Sequence, residues 1–350
     1  MISPRTQLSQ LSPYIPGKLK EGAVKLASNE NPLGPSPRAV QALRESLSAM
    51  YLYPDGGCAD LKKKLSSKYG VSTDQIIIGN GSDEIFLFIT GAFIENGDTV
   101  LTSEGSFSEY AFAGLLYGAR VQYVPMRDGK FQLPDIGKAA DNRTKVIFLC
   151  NPNNPTGTYF TLQELHMFMK QISSETLVVL DEAYCEYADA PDYPDGVSLL
   201  SKYKNLLVLR TFSKIYGLAG LRVGYGIGDP EVISHMNKTR PPFNVNRAAQ
   251  IAASAALDDE THLKASQQLN REERQFLYDN LTRLGYQPFP SQANFVFFFY
   301  PGDHNAVFTK MMDGGVTIRP LTVQGRSALR ITCGTRVQNE LCIRLLEEIG

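Results

Sequence analysis

The stretch KVIFLCNPNNPTG, Lys145–Gly157, decides the reading of the fold. Its first half is a near-continuous apolar run, the pattern of a strand buried on both faces. Its second half turns abruptly to Asn, Pro and Gly, so the chain leaves the sheet there. Two later segments repeat the form: LVVLD (Leu177–Asp181) runs into EAYCEY, and NLLVLR (Asn205–Arg210) runs into TFSK. QIIIG, DTVLT and ARVQYV before them, and LRVGYG after them, are further strand candidates. Helical patterns of about 10–15 residues separate these runs, which predicts an α/β fold with a mostly parallel central sheet flanked by helices.

Outward from this core the pattern changes. The first residues are polar and Pro-punctuated and read as an arm, and NENPLGPSP (Asn29–Pro37) is a rigid loop leading into a helix near Arg38–Met50. After Arg240-Pro241-Pro242 a long helical region covers about 247–284, followed by the strand candidates NFVFFFY and ALRITCG. This predicts a smaller α+β domain. The expected division is an arm, 1–37, packing with the small domain; a large domain, 38–245; and a small C-terminal domain, 246–350.

Composition narrows the function. The chain has 350 residues, an apolar fraction of 43% and a net charge of −1, so it has a sizeable core and no electrostatic footprint for nucleic acid or anionic membrane. No apolar run approaches the ~20 residues of a membrane span, and MISPRTQLSQLSPY lacks an apolar signal core. The five Cys are scattered without a Cys-x-x-Cys, and the four His are far apart. A reduced, cytoplasmic protein without a metal site is expected.

In open α/β sheets, ligands bind beyond the carboxyl ends of the strands. Three strands here end in an amide-rich loop, a carboxylate with a Tyr three residues on, and a Ser-Lys pair. LVVLDEA also suits the acidic strand end of an NTPase, but that reading requires G-x-x-x-x-G-K-[ST], which does not occur. GNGSDE and GYGIGD lack a full G-x-G-x-x-G. GNGSDE does follow a strand and open a helix, which suits an anion on helix N-terminal amides. A Lys amine can form a Schiff base when its pKa falls. A buried carboxylate can keep a pyridinium nitrogen protonated, Tyr and Asn can hold a ring oxygen, and Gly-rich amides, hydroxyls and an Arg can bind a phosphate. Together they describe a pyridoxal-phosphate site.

The strings LSPYIPG, ASNENPLGPSP, YPDGG, GNGSDEI, NPNNPTG, DEAYCEY, RTFSKIYGLAGLRVGY, RPPFNVN and LRITCGT, in this order over nearly the whole chain, resemble the fold-type I pyridoxal-phosphate aminotransferases, most closely the histidinol-phosphate aminotransferases. The resemblance implies that Lys214 is the Schiff-base lysine, that Asp181 pairs with the pyridine nitrogen, and that Tyr184 and Asn154 hold the ring oxygen. It implies that Phe107 stacks on the ring. Gly81, Ser82 and Asp83 would bind the phosphate, with Thr211, Ser213 and Arg222 facing them. Tyr53 would reach the phosphate from the neighbouring subunit of a homodimer. Arg330 would bind the substrate's anionic group, and no metal is implied. Two positions depart from the family pattern: Gly105, near where relatives carry Pro, and Leu52, where many carry Arg.

Glutamate and 2-oxoglutarate present an α-carboxylate, whereas histidinol phosphate presents a phosphate, which wants extra donors. By the resemblance these are Arg319 and Tyr14, with Asn29 and Tyr110 also in the substrate set. The implied activity is reversible amino transfer between L-histidinol phosphate and 2-oxoglutarate in histidine synthesis. An aromatic-amino-acid aminotransferase or a phosphothreonine-type decarboxylase would use the same cofactor residues. A non-catalytic relative would lack Lys214 or Asp181, and both are present.

Overall fold

The computed structural model describes residues 2–14 and 20–349. After the arm come β1 (Val24–Lys25), α1 (Pro37–Ser46) and α2 (Ala59–Tyr69). Ser36 caps α1 by accepting from the Ala39 N–H, and Pro37 occupies the first helical turn, where its missing N–H costs nothing. Strands and helices then alternate: β2 (Ile76–Gly79), α3 (Ser82–Phe93), β3 (Thr99–Glu104), α4 (Glu109–Leu116), β4 (Arg120–Pro125), α5 (Leu133–Ala139), β5 (Thr144–Cys150), α6 (Leu162–Met169), β6 (Leu177–Asp181), β7 (Leu206–Thr211), β8 (Gly224–Ile227) and α7 (Pro230–Asn237). The remainder comprises α8 (Arg247–Ala256), α9 (Glu260–Arg283), β9 (Phe295–Phe299), α10 (His304–Asp313), β10 (Val316–Thr317), β11 (Arg319–Val323), β12 (Arg326–Thr332) and α11 (Arg336–Ile349).

All the strands expected from the apolar runs form. Among the described residues the large sheet has the order β2-β8-β7-β6-β5-β3-β4, and β8 alone runs opposite to the other strands. β6 and β7 are buried along their whole length, as their unbroken apolar sequence requires. The smaller sheet is antiparallel, in the order β11-β12-β9, and β1 pairs in parallel with β10. The short strands β1, β10 and β11 escape a reading from periodicity, because two residues carry no alternation and β11 contains Pro320.

Three expectations change. The helical region 247–284 is two helices, broken where Asp259 caps the His262 N–H and accepts from the Ser36 hydroxyl at 2.7 Å. Ala249, Ala252, Ala253 and Ala256 of α8 pack into the core under the large sheet, whereas Leu277 and Leu281 of α9 belong to the second core with Val296, Phe298 and Leu346. The chain therefore changes cores along α9, beyond the expected boundary at 245/246. The small side chains of α8 are what let it lie close against α1. The arm also divides: a short 3-10 turn at Thr6–Gln10 lies against α4, and among the described residues of the arm only β1 and Leu26 join the smaller core. Among the described residues no helix is long and apolar enough to cross a membrane.

Candidate active site

Parallel pairing brings chemically useful strand ends to one edge. Cys150 at the end of β5 is in register with Asp181 at the end of β6, and Asp181 is in register with Leu209, two residues before the end of β7. Because β8 is antiparallel, its first residue, Gly224, pairs with Thr211 and with Gly79, so Arg222 and the β2–α3 turn arrive at the same edge. A cavity of about 440 Å³ opens there. Its wall includes Lys214, Asp181, Tyr184, Asn154, Phe107, Ser82, Asp83, Thr211, Ser213 and Arg222 from the large sheet's side, and Tyr14, Asn29, Arg319 and Arg330 from the arm and smaller sheet.

One end of the cavity is an anion cradle. Ser82 opens α3, so its N–H and that of Asp83 lack intrahelical partners at the positive end of the helix dipole, and both residues line the cavity. Gly81 has φ +82, and a Cβ there would lie 2.5 Å from Arg222 Nη2. At Gly224 a Cβ would stand 2.7 Å from the Ser82 nitrogen. Glycine at both positions lets backbone and guanidinium close around the same space. Arg222 donates to Ser213 Oγ at 3.3 Å and to Asp83 Oδ2 at 2.9 Å. The Asp83 carboxylate is thus committed to Arg222, which leaves its N–H as its contribution to an anion.

The floor carries Asp181, buried at 3% exposure. Its Oδ2 accepts from the Tyr110 hydroxyl at 2.7 Å, and its Oδ1 accepts from the Ala183 N–H at 3.1 Å. Among the described residues it has no basic partner within salt-bridge distance. Burial pushes its pKa up to about 6, against the opposing pull of those two hydrogen bonds. Lys214 Nζ lies 5.5 Å from the Tyr184 ring centroid and donates to the Ser28 carbonyl at 3.3 Å. Burial, reinforced by the positive charge of Arg330, lowers its pKa to about 8. Tyr184 accepts from Asn29 Nδ2 at 2.9 Å, and burial raises its phenol well above the ordinary range.

The opposite wall is cationic. Arg319 on β11 is the direct cross-strand partner of Arg330 on β12. Like charges in that relation repel. Arg330 is buried, donates to Asn154 Oδ1 at 2.6 Å and to the Ala27 carbonyl at 2.7 Å, and its Nε has no partner among the described residues. Burial, with Arg319 adding to it, lowers its pKa to about 10. Since Asn154 spends its carbonyl oxygen on Arg330, its amide N–H groups are available to the cavity. Leu321, Thr322 and Val323 of the β11–β12 hairpin complete this wall, and Val323 rests on Gly105, where a Cβ would come within 2.8 Å.

The sequence-predicted residues converge with three exceptions. Gly81 lies behind the cavity surface, beneath Arg222. Tyr110 does not line the substrate side: it is fully buried, with its ring stacked on Phe148 at 4.8 Å, and its hydroxyl serves Asp181 from below. Tyr53 is 79% exposed, stacks on Phe243 at 4.8 Å and stays outside its own chain's cavity. Tyr14 stands mostly exposed at the mouth. Asn29 does line the cavity, but its side chain is bonded to Tyr184 and Thr332. Cys150, the hairpin residues and Thr332 escape a reading from motifs, because each is an ordinary strand residue whose importance comes from what stands beside it.

Comparison with known proteins shows the family to which this chain belongs. The family described as aminotransferase class I and II matches residues 21–349. A histidinol-phosphate aminotransferase of Moorella thermoacetica is 46% identical over 99% of this chain and 92% of its own length. One from Caldicellulosiruptor saccharolyticus is 43% identical over 99% of each. The crystal structure of histidinol-phosphate aminotransferase from Sinorhizobium meliloti in complex with pyridoxal-5'-phosphate superposes with a TM-score of 0.93, at 30% identity, over 100% of this chain and 98% of that one.

Proposed function

The chain belongs to the class I and II aminotransferases, and we propose that it moves an amino group reversibly between L-histidinol phosphate and 2-oxoglutarate, giving imidazole-acetol phosphate and glutamate, with pyridoxal phosphate as cofactor. The observation that carries the substrate is the Arg319–Arg330 pair on the cavity wall. Two cross-strand cations repel when empty-handed, and a doubly charged phosphate relieves that repulsion while a carboxylate in the other half-reaction needs only one of them.

The cavity fits the cofactor on its own terms. The buried carboxylate of Asp181, without a basic partner among the described residues, suits a cationic ring nitrogen. The cradle formed by the Ser82 and Asp83 amides, Thr211, Ser213 and Arg222, whose guanidinium packs closely over Gly81, suits a phosphate. Tyr184 and Asn154 would hold the ring oxygen, Phe107 the ring face, and Lys214 the aldehyde. Bound there, pyridoxal phosphate supplies an electrophilic carbon and an electron-withdrawing ring. The protein's own part follows from its side chains. Lys214, with a pKa near 8, is partly neutral at physiological pH, so its Nζ can accept a proton from the substrate Cα and return one. Asp181, with a pKa near 6, is mostly anionic there and fixes a proton on the group it faces. Arg330 holds the substrate's anionic end, with Arg319 and Tyr14 adding donors at the mouth.

We place this enzyme in the cytoplasm as a homodimer whose Tyr53 reaches the phosphate of the neighbouring subunit's site. The free state of all the cysteines supports the first, and the exposed aromatics Tyr51, Tyr53 and Phe243 support the second. The test has two parts. Borohydride should trap pyridoxal phosphate on Lys214; a colourless protein that takes up none refutes the cofactor. Histidinol phosphate should exceed phenylalanine as donor by kcat/KM, and Arg319→Ala should cost the phosphate substrate more than glutamate. A clear preference for phenylalanine, or equal losses, refutes the substrate.

A further inference from the structure

Asn29 is almost fully buried, with φ +60, at a point where the N-terminal segment passes between the two sheets. Its backbone N–H donates to Thr332 Oγ1 at 3.0 Å, and Thr332 Oγ1 donates back to Asn29 Oδ1 at 3.0 Å. Asn294 Nδ2 donates to the Asn29 carbonyl at 3.0 Å. Three bonds therefore tie this residue to the smaller sheet and the loop before it. The fourth, from Nδ2, reaches across to the Tyr184 oxygen at 2.9 Å.

The direction of that fourth bond is set by the others. Thr332 Oγ1 already accepts from the Asn29 N–H, so its own hydrogen must find an acceptor, and Asn29 Oδ1 is the one at hand. With the amide reversed, that hydroxyl hydrogen would have no acceptor among the described residues. Nδ2 must then face Tyr184. A phenol that accepts from Asn29 keeps its own hydrogen free to donate elsewhere, and Tyr184 faces the cavity. We propose that Asn29 is a positioning residue that holds the Tyr184 hydroxyl as a donor toward the cavity, and that Thr332 of the smaller sheet sets this orientation. The inference rests on the pyridoxal-phosphate reading of the cavity. The charged and titratable groups around the phenol are Lys214, Asp181, Cys150 and Arg330, and among the described residues none of them hydrogen-bonds to it.

The isosteric variant Asn29→Asp gives a sharp test. A carboxylate cannot donate, so the Tyr184 hydroxyl must turn and donate to it, and the cavity loses its donor. Asp tolerates a left-handed backbone better than most residues, and Thr332→Val offers a second, milder route to the same loosening. The readout is the pH midpoint at which the visible absorption of the pyridoxal-phosphate-loaded protein changes. Losing a donor to an anionic ring oxygen makes that oxygen and its neighbour hold their shared proton more tightly, so the midpoint rises. Tyr184→Phe and Asn29→Asp should each raise it by about 1 pH unit, the equivalent of a hydrogen bond to a charged group. Thr332→Val should raise it by less. In the Tyr184→Phe background, Asn29→Asp should add under about a third of its own effect, since it acts through the missing hydroxyl. Full additivity, no shift in Asn29→Asp, or no shift in Tyr184→Phe overturns the proposal. An unshifted Thr332→Val overturns the link to the smaller sheet. A wild-type protein with no visible band overturns the reading of the cavity and this inference together.

Discussion

Tyr110→Phe removes one atom and tests how the site holds its carboxylate. The Tyr110 ring stacks on Phe148 at 4.8 Å and meets Phe86 edge-on at 5.0 Å, contacts that Phe preserves. What is lost is the 2.7 Å bond to Asp181 Oδ2. A hydrogen bond to a charged group contributes about 1.5–3 kcal/mol, or about 1–2 pH units at 1.36 kcal/mol each. Asp181 then titrates above pH 7 instead of near 6. Its folded-state pKa already lies about two pH units above the ordinary 3.8, so the folded apo-protein binds this proton more tightly than the unfolded chain. The contribution of this group to stability is therefore greatest in acid, where both states are protonated. It falls as the pH rises from about 4 to about 6, by about 3 kcal/mol. In Tyr110→Phe the fall continues to about pH 8. The gap between wild type and variant, measured by urea unfolding of the apo-protein, should widen by about 2 kcal/mol between pH 4.5 and pH 8. In the loaded enzyme the acid limb of kcat should move upward with it. A gap that stays constant across this range means the hydroxyl only fills space, and the account of Asp181 is wrong.

Gly81→Ala places a methyl 2.5 Å from Arg222 Nη2 at a left-handed φ, so affinity for pyridoxal phosphate should fall at least about tenfold by equilibrium titration. Arg210 clamps the fully buried Glu182 through Nε at 2.9 Å and Nη2 at 2.7 Å, so Arg210→Met should cost about 3–5 kcal/mol in urea unfolding, and adding Glu182→Gln should recover much of it. Because only the neutral amine attacks an aldehyde, the rate of pyridoxal-phosphate uptake by apo-protein should rise with pH to a plateau above about 8, as stopped-flow absorbance would record. Arg330→Leu removes a positive neighbour and should move that rise to higher pH.

What was legible in the sequence is what local pattern carries. The apolar runs at β5, β6 and β7 announce doubly buried strands, and the residues that follow them are the ones on the cavity wall. Lys214, Asp181 and Asn154 stand out because polar residues at the ends of apolar strands are unusual, and Arg222 because it is a charge between Leu and Val just before β8. The division into cores was less legible. α8 and α9 read as one helical stretch, and nothing local says that the first half serves one core and the second half another.

The amino-acid sequence by itself determined the α/β architecture, the edge of the sheet where chemistry gathers and the residue types gathered there, because these follow from burial and periodicity within each segment. Only the tertiary structure decided the hydrogen-bond partners. Tyr110, read as a substrate residue, lies under Asp181; Asn29, read likewise, donates to Tyr184; Asp83 spends its carboxylate on Arg222. Arg319 and Arg330 are neighbours only because β11 and β12 pair in one register, and a slip by one residue would turn them to opposite faces. The physical reason is the same throughout. Side-chain chemistry is written residue by residue, but proton affinity and donor direction depend on atoms within about 3 Å, and those come from segments as far apart as positions 29, 184 and 332.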